Sequence, residues 1–142
     1  MANEMDPTQE IDKKAIDEVT TAFFGIFSNK NGAKPDWNLI AELCITEAII
    51  IKKTHQQQEV YNLESFISPR KKILSDGTLR DFEEKEIEED TKIIGNIAQR
   101  ATKYVKEGYL NGEYFKQQGN KFFQYIKTDK GWQINAVVWE DE

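Results

Sequence analysis

Lys130-Gly131-Trp132-Gln133-Ile134-Asn135-Ala136-Val137-Val138-Trp139-Glu140 is the stretch whose reading decides the fold. Asp129 to Gly131 is turn chemistry. The residues that follow are apolar or aromatic at both odd and even positions, so neither face of the strand they form can be left fully wet. Such a strand belongs inside a sheet, and Asp141-Glu142 stop it there. The expectation is a fold closed by its C-terminal strand. Working backwards, strands are expected at about 81–91, 93–107, 112–127 and 132–140. Gly108, Asn111-Gly112 and Lys130-Gly131 link them with residues suited to antiparallel hairpins.

Helical signals come first in the chain. Asp6 is placed to cap, Pro7 suits a first helical position, and Ile16, Val19, Phe23, Ile26 and Phe27 recur on one face. Breakers from Asn29 to Pro35 end that helix. A short second helix is expected from Asp36, with Trp37, Ile40, Leu43 and Cys44 on one side. Ile49-Ile50-Ile51 reads as a strand, His55 to Glu59 as a polar loop, and Val60-Tyr61 as a stub of extended chain. Asn62 caps a third helix with Leu63, Phe66, Ile67 and Leu74 inward, which Pro69 should kink or restart with Ser68 as a new cap. Three helices followed by a strand meander predict an α+β fold with the helices on one sheet face. Residues 1–142 are read as one domain, with 1–8 as a poorly ordered lead-in.

Composition narrows function by exclusion. A net charge of −6 over 142 residues speaks against nucleic acid as partner. No apolar run approaches the ~20 residues needed to span a bilayer. The first residues carry neither the basic start nor the apolar core of a signal peptide. With Cys44 as the single cysteine, no internal disulfide can form, and a cytoplasmic location is expected. Cys44 reads as a small core residue. One histidine and one cysteine cannot build a zinc-type cluster, so neither a metal nor a cofactor is expected. His55 reads as a solvated loop residue.

The helix ending Ala22-Phe23-Phe24-Gly25-Ile26-Phe27, the short Trp-led helix, the strand, the kinked helix and the Gly131-Trp132-Gln133-Ile134 strand together resemble the NTF2-like superfamily in its SnoaL-like branch. The resemblance spans about residues 10–140. Phe82-Glu83-Glu84-Lys85-Glu86, Gly95-Asn96-Ile97-Ala98 and Val138-Trp139-Glu140-Asp141-Glu142 are similar to uncharacterised bacterial members. It implies a cystatin-like cone: a curved, mainly antiparallel sheet around the first helix, a pocket between them, and homodimers through the outer sheet face. It also implies three catalytic positions of the steroid-isomerase branch. These fall at Phe23 (a tyrosine there), near Lys52 (a general-base aspartate) and near Phe123 (a carboxylic acid). None matches, so that proton shuttle lacks its base and its oxyanion donors.

The candidate ligand-binding residues are Phe23, Phe27, Arg100, Tyr104, Phe123, Tyr125, Asn135 and Trp139. Phe123 and Tyr125 share one strand face. By the resemblance, Trp139 lies on the pocket face of the last strand, with Gln133, Asn135 and Val137. Arg100 and Tyr104 share a face with Ala98 and Thr102; if that face points inward, Arg100 needs an acidic partner or a ligand anion. Strict alternation puts Glu84, Glu86, Glu88 and Asp90 on one face, with Glu83 and Glu89 opposite, as an exposed or edge strand. Arg70, Lys71, Lys72 and Arg80 are read as offsetting that acidic strand.

Three functions follow. The first is a non-catalytic homodimer that binds a small hydrophobic or amphipathic molecule. The second is an isomerase, lyase or hydrolase of a hydrophobic cyclic substrate, using Tyr104, Glu84 or Glu86. The third is an interaction module working through the outer face of the sheet.

Overall fold

A computed structural model describes residues 6–142. The Asp6 carboxylate accepts from the Gln9 amide at 2.8 Å, and Pro7 opens the first helix, α1 (Pro7–Ile26). Of the lead-in expected over 1–8, residues 1–5 lie outside the described residues, while Asp6 to Thr8 form the cap and first turn. The buried face of α1 carries Asp12, Ile16, Thr20, Phe23, Phe24 and Ile26, with Phe27 following as C-cap.

Two 3₁₀ turns, Lys30–Gly32 and Trp37–Leu39, precede a single helical turn, α2 (Ile40–Leu43). The chain leaves it directly as β1 (Cys44–Lys53), so Cys44 is the first residue of a strand and not part of the helix. Its Cα pairs with that of Ile134. Burial pushes the Cys44 thiol up to about 12, which makes it an inert core residue.

After β2 (Gln58–Tyr61) comes α3 (Leu63–Ser75), which starts on a reciprocal box between Asn62 and Ser65. Pro69 neither ends nor restarts it, and Ser68 lies within the helix. Pro69 and Ser65 both face solvent, so water can satisfy the Ser65 carbonyl that the missing amide would have served.

The remaining strands are β3 (Leu79–Ile94), β4 (Ile97–Leu110), β5 (Glu113–Thr128) and β6 (Gly131–Asp141). They form one six-stranded sheet in the order β2-β1-β6-β5-β4-β3. Only β1 and β6 run parallel. The C-terminal strand thus lies inside the sheet, between β1 and β5, as its two apolar faces demand. At the β4–β5 turn, Asn111 and Gly112 both take positive φ (52° and 85°), the geometry of a tight two-residue hairpin.

Of the four breaks in sheet register, two decide which of the candidate side chains face the helices. In β3 the pairing passes from Glu86↔Tyr104 to Glu88↔Lys103, leaving Ile87 as the extra residue. Glu84 and Glu86 therefore share the helix side with Glu89 and Thr91, whereas Glu88 and Asp90 turn outward. Strict alternation fails here because a bulge reverses parity along the strand. In β6 the pairing passes from Tyr125↔Ile134 to Gln124↔Ala136 and skips Asn135. Trp132 and Ile134 consequently join Val137 and Trp139 on the inner face, all four buried.

Candidate ligand-binding site

Opposite residues of an antiparallel pair share a face, so the register gives the inner surface row by row. Glu84 stands beside Lys106 and Gln117; Glu86 beside Tyr104, Gly119 and Asp141; Thr102 beside Lys121, Trp139 and Lys52. The next row holds Thr91, Arg100, Phe123 and Val137. Over the first three rows, between α1, α3 and the sheet, lies a cavity of about 470 Å³, within the range of small-molecule sites.

One wall of the cavity is aromatic. Phe27 packs edge-on against Phe23 and Phe66, with centroids 5.5 and 5.6 Å away, and Phe66 meets Trp139 at 5.6 Å. The other wall is polar. The Lys121 ammonium bonds Glu84 at 2.9 Å and lies 4.4 Å from the Tyr104 ring centre and 4.9 Å from that of Trp139. Burial pushes the Lys121 ammonium below its ordinary value. Asp141 accepts from the Tyr104 hydroxyl and pairs with Lys106 at 2.9 Å. Burial opposes its ionisation, but the Tyr104 hydrogen bond and the Lys106 charge outweigh that and hold its carboxyl below the ordinary range. Burial and the same contact push the Tyr104 phenol far up. Gly119 makes the contact possible, because a Cβ there would lie 2.5 Å from the Tyr104 hydroxyl oxygen.

Of the eight residues singled out from the sequence, Phe23, Phe27 and Trp139 line this cavity. Tyr104, Phe123, Tyr125 and Arg100 face the helices but pack beside or beneath it. Phe123 stacks on Tyr125, whose hydroxyl is 2.7 Å from that of Thr20. Arg100, only 3% exposed, finds acidic partners: its Nε donates to Glu86 at 3.0 Å and its Nη1 to Asp17 on α1 at 2.6 Å. It ties the helix to the sheet and has no call for a ligand anion. Asn135, the bulge residue, borders a separate, smaller depression of about 320 Å³ with Gln99, Gln124 and Ile126.

Four charged lining residues were not among the site candidates: Lys52, Lys106, Lys121 and Asp141. Lys121 lies two residues before Phe123 and Asp141 two after Trp139, so parity carried the signal. Arg70 was read as offsetting the acidic strand. It turns inward, its guanidinium 3.8 Å from the Phe66 ring centre, one helical turn away on the same face, where Glu84 of that strand acts on its charge. His55 is exposed in its loop. Among the described residues there is no cluster of histidine, cysteine and carboxylates able to hold a metal, and no helix long and apolar enough to cross a membrane.

No protein-family model matches the sequence, and no curated protein matches it. Solved structures do. A nuclear transport factor 2 (NTF2-like) superfamily protein from Salmonella enterica superposes with a TM-score of 0.75 at 16% identity, covering 92% of this chain and 91% of that one. An NTF2-like protein with a cystatin-like fold from Novosphingobium aromaticivorans gives 0.70 at 11% identity over 94% and 83%. The association domain of C. elegans CaMKII gives 0.70 at 18% identity over 94% and 98%. At such identities the likeness defines the fold. The chain has the NTF2-like, cystatin-like α+β fold, with helices packed on a mainly antiparallel sheet.

Proposed function

We propose that this chain is a cytoplasmic, non-catalytic member of the SnoaL-like branch that binds a small hydrophobic or amphipathic molecule and works as a homodimer. The observation that carries the binding role is the cavity of about 470 Å³ with an aromatic wall and a few polar groups opposite. Catalysis would draw on Glu84 and Asp141, the two carboxylates in the cavity. Each is paired with a lysine at 2.9 Å, so taking a proton from a substrate would break that ion pair. The dimer reading rests on the outer sheet face, where Ile94, Ile97, Phe122 and Val138 are exposed. One solved structure with this fold is an association domain.

A thermal-shift screen of amphipathic aromatic compounds tests the binding role. Hits should raise the melting temperature of the native chain but not of Ile73→Trp, which places an indole in the cavity. A screen without hits, or hits indifferent to Ile73→Trp, contradicts it. Light scattering tests the dimer: the native chain should have twice the mass of Phe122→Asp. A native chain that is monomeric refutes the dimer.

A further inference from the structure

The charges lining the cavity do not balance. Lys52, Arg70, Lys106 and Lys121 face two carboxylates, Glu84 and Asp141. Lys121 is taken up by Glu84 and Lys106 by Asp141, at 2.9 Å each. Lys52 and Arg70 have no carboxylate within salt-bridge distance among the described residues. A chain with a net charge of −6 thus keeps two cations without a carboxylate partner in this aromatic-walled cavity.

Both border the same indole. Lys52 is the strand partner of Trp139, and the Arg70 guanidinium lies 5.6 Å from the Trp139 ring centre. Arg70 has five N–H donors. Its Nη1 donates to the Phe66 carbonyl at 3.0 Å, and the guanidinium rests on the Phe66 ring. Burial pushes it below its ordinary value, and Tyr61, Glu84 and Glu59 nearby offset only part of the lost water. With the Phe66 carbonyl and Tyr61 as its polar neighbours and no carboxylate at salt-bridge distance among the described residues, this half-buried guanidinium beside an aromatic wall keeps donors for a carboxylate fork.

We propose that the ligand is an organic carboxylate with an aromatic or similarly flat apolar body. Its head group is held by Arg70 and Lys52, and its body rests on Phe66, Trp139 and Phe27. This deepens the binding role above and rests on it. A monoanion suits the site better than a phosphate ester, because taking two charges from water to a place against the Phe66 ring costs more.

Calorimetric titration with 4-phenylbutyrate, 4-phenylbutyramide, 4-phenylbutylamine and phenyl phosphate separates the possibilities. The acid should bind the native chain at least tenfold tighter than the amide. Arg70→Gln should remove roughly 10- to 100-fold of the acid's affinity, as expected for a charge-assisted hydrogen bond, and leave the amide unchanged. Lys52→Gln should weaken the acid by a smaller factor, and it serves as the second variant if Arg70→Gln does not fold. An amide or amine that binds as well as the acid overturns the proposal while the cavity remains a binding site. So does a tighter phosphate ester, or an acid preference that survives both substitutions. If no member of the series binds, the binding role and the anion assignment fall together.

Discussion

Replacing Arg100 with methionine keeps most of an apolar stem but removes a charge that is 3% exposed. Glu86, which receives both Nε and Nη2, would be left as a carboxylate without its counter-ion. Thr102 also bonds Glu86, at 2.7 Å, but a hydroxyl cannot neutralise it. Removing one partner of a buried pair typically costs about 3–5 kcal/mol. Asp17 adds little, because its side chain is 42% exposed and keeps Lys13 at 2.8 Å. At about 2–4 °C per kcal/mol for a chain near this size, the melting temperature of Arg100→Met should fall by roughly 6–20 °C. Adding Glu86→Leu should restore much of the loss, since the orphaned carboxylate is the main cost. Urea unfolding followed by circular dichroism measures all three chains. A single variant within 1 kcal/mol of the native chain, or a double variant no better than the single, would refute the structural role given to Arg100. A stable Arg100→Met that lost ligand would instead return Arg100 to the binding site.

Gly119→Ala should destabilise the chain by about 1–3 kcal/mol, since the new Cβ would lie 2.5 Å from the Tyr104 hydroxyl oxygen and 2.8 Å from the Glu140 carbonyl oxygen. Urea unfolding checks this, and a neutral effect would mean that the Tyr104–Asp141 contact is dispensable. Acid should also destabilise. The Trp132 indole N–H, with Lys127, holds the Asp12 carboxyl below its ordinary value of 3.8. Asp141 is lowered too, by Tyr104 and Lys106 working against burial. An anion with a depressed folded value stabilises above its unfolded value, and that contribution is lost as pH falls through the folded one. Thermal midpoints should therefore be level from about pH 5 to 7 and drop below about pH 4, less steeply for Asp141→Asn.

The sheet was readable in the sequence wherever turn chemistry and two-sided strands coincide, from Asn111-Gly112 to the strand ending at Trp139. Its faces were readable only as far as alternation held. Nothing in Glu86-Ile87-Glu88 or Ile134-Asn135-Ala136 announces a bulge, because the extra residue is set by pairing with a distant strand. Each bulge moved whole sets of side chains across the sheet, bringing Trp132 in and leaving Asn135 off the cavity. Arg100 illustrates a second limit. Its inward face could be read from Ala98, Thr102 and Tyr104, but its partners Asp17 and Glu86 lie 83 and 14 residues away. The aromatic wall was legible because Phe23, Phe27 and Trp139 are core residues by composition. Parity placed Lys121 on the same inward face, but lysine is so seldom buried that the signal did not stand out.

Whether the space between α1, α3 and the sheet accepts a ligand is read most directly from the indole N–H resonances. Titration with 4-phenylbutyrate should shift Trp139, which lines the cavity, and leave Trp132 in place, since its Nε1 donates to Asp12 at 2.9 Å away from that wall. A Trp139 signal that stays fixed at saturating probe, or a shift confined to Trp132, would contradict binding there.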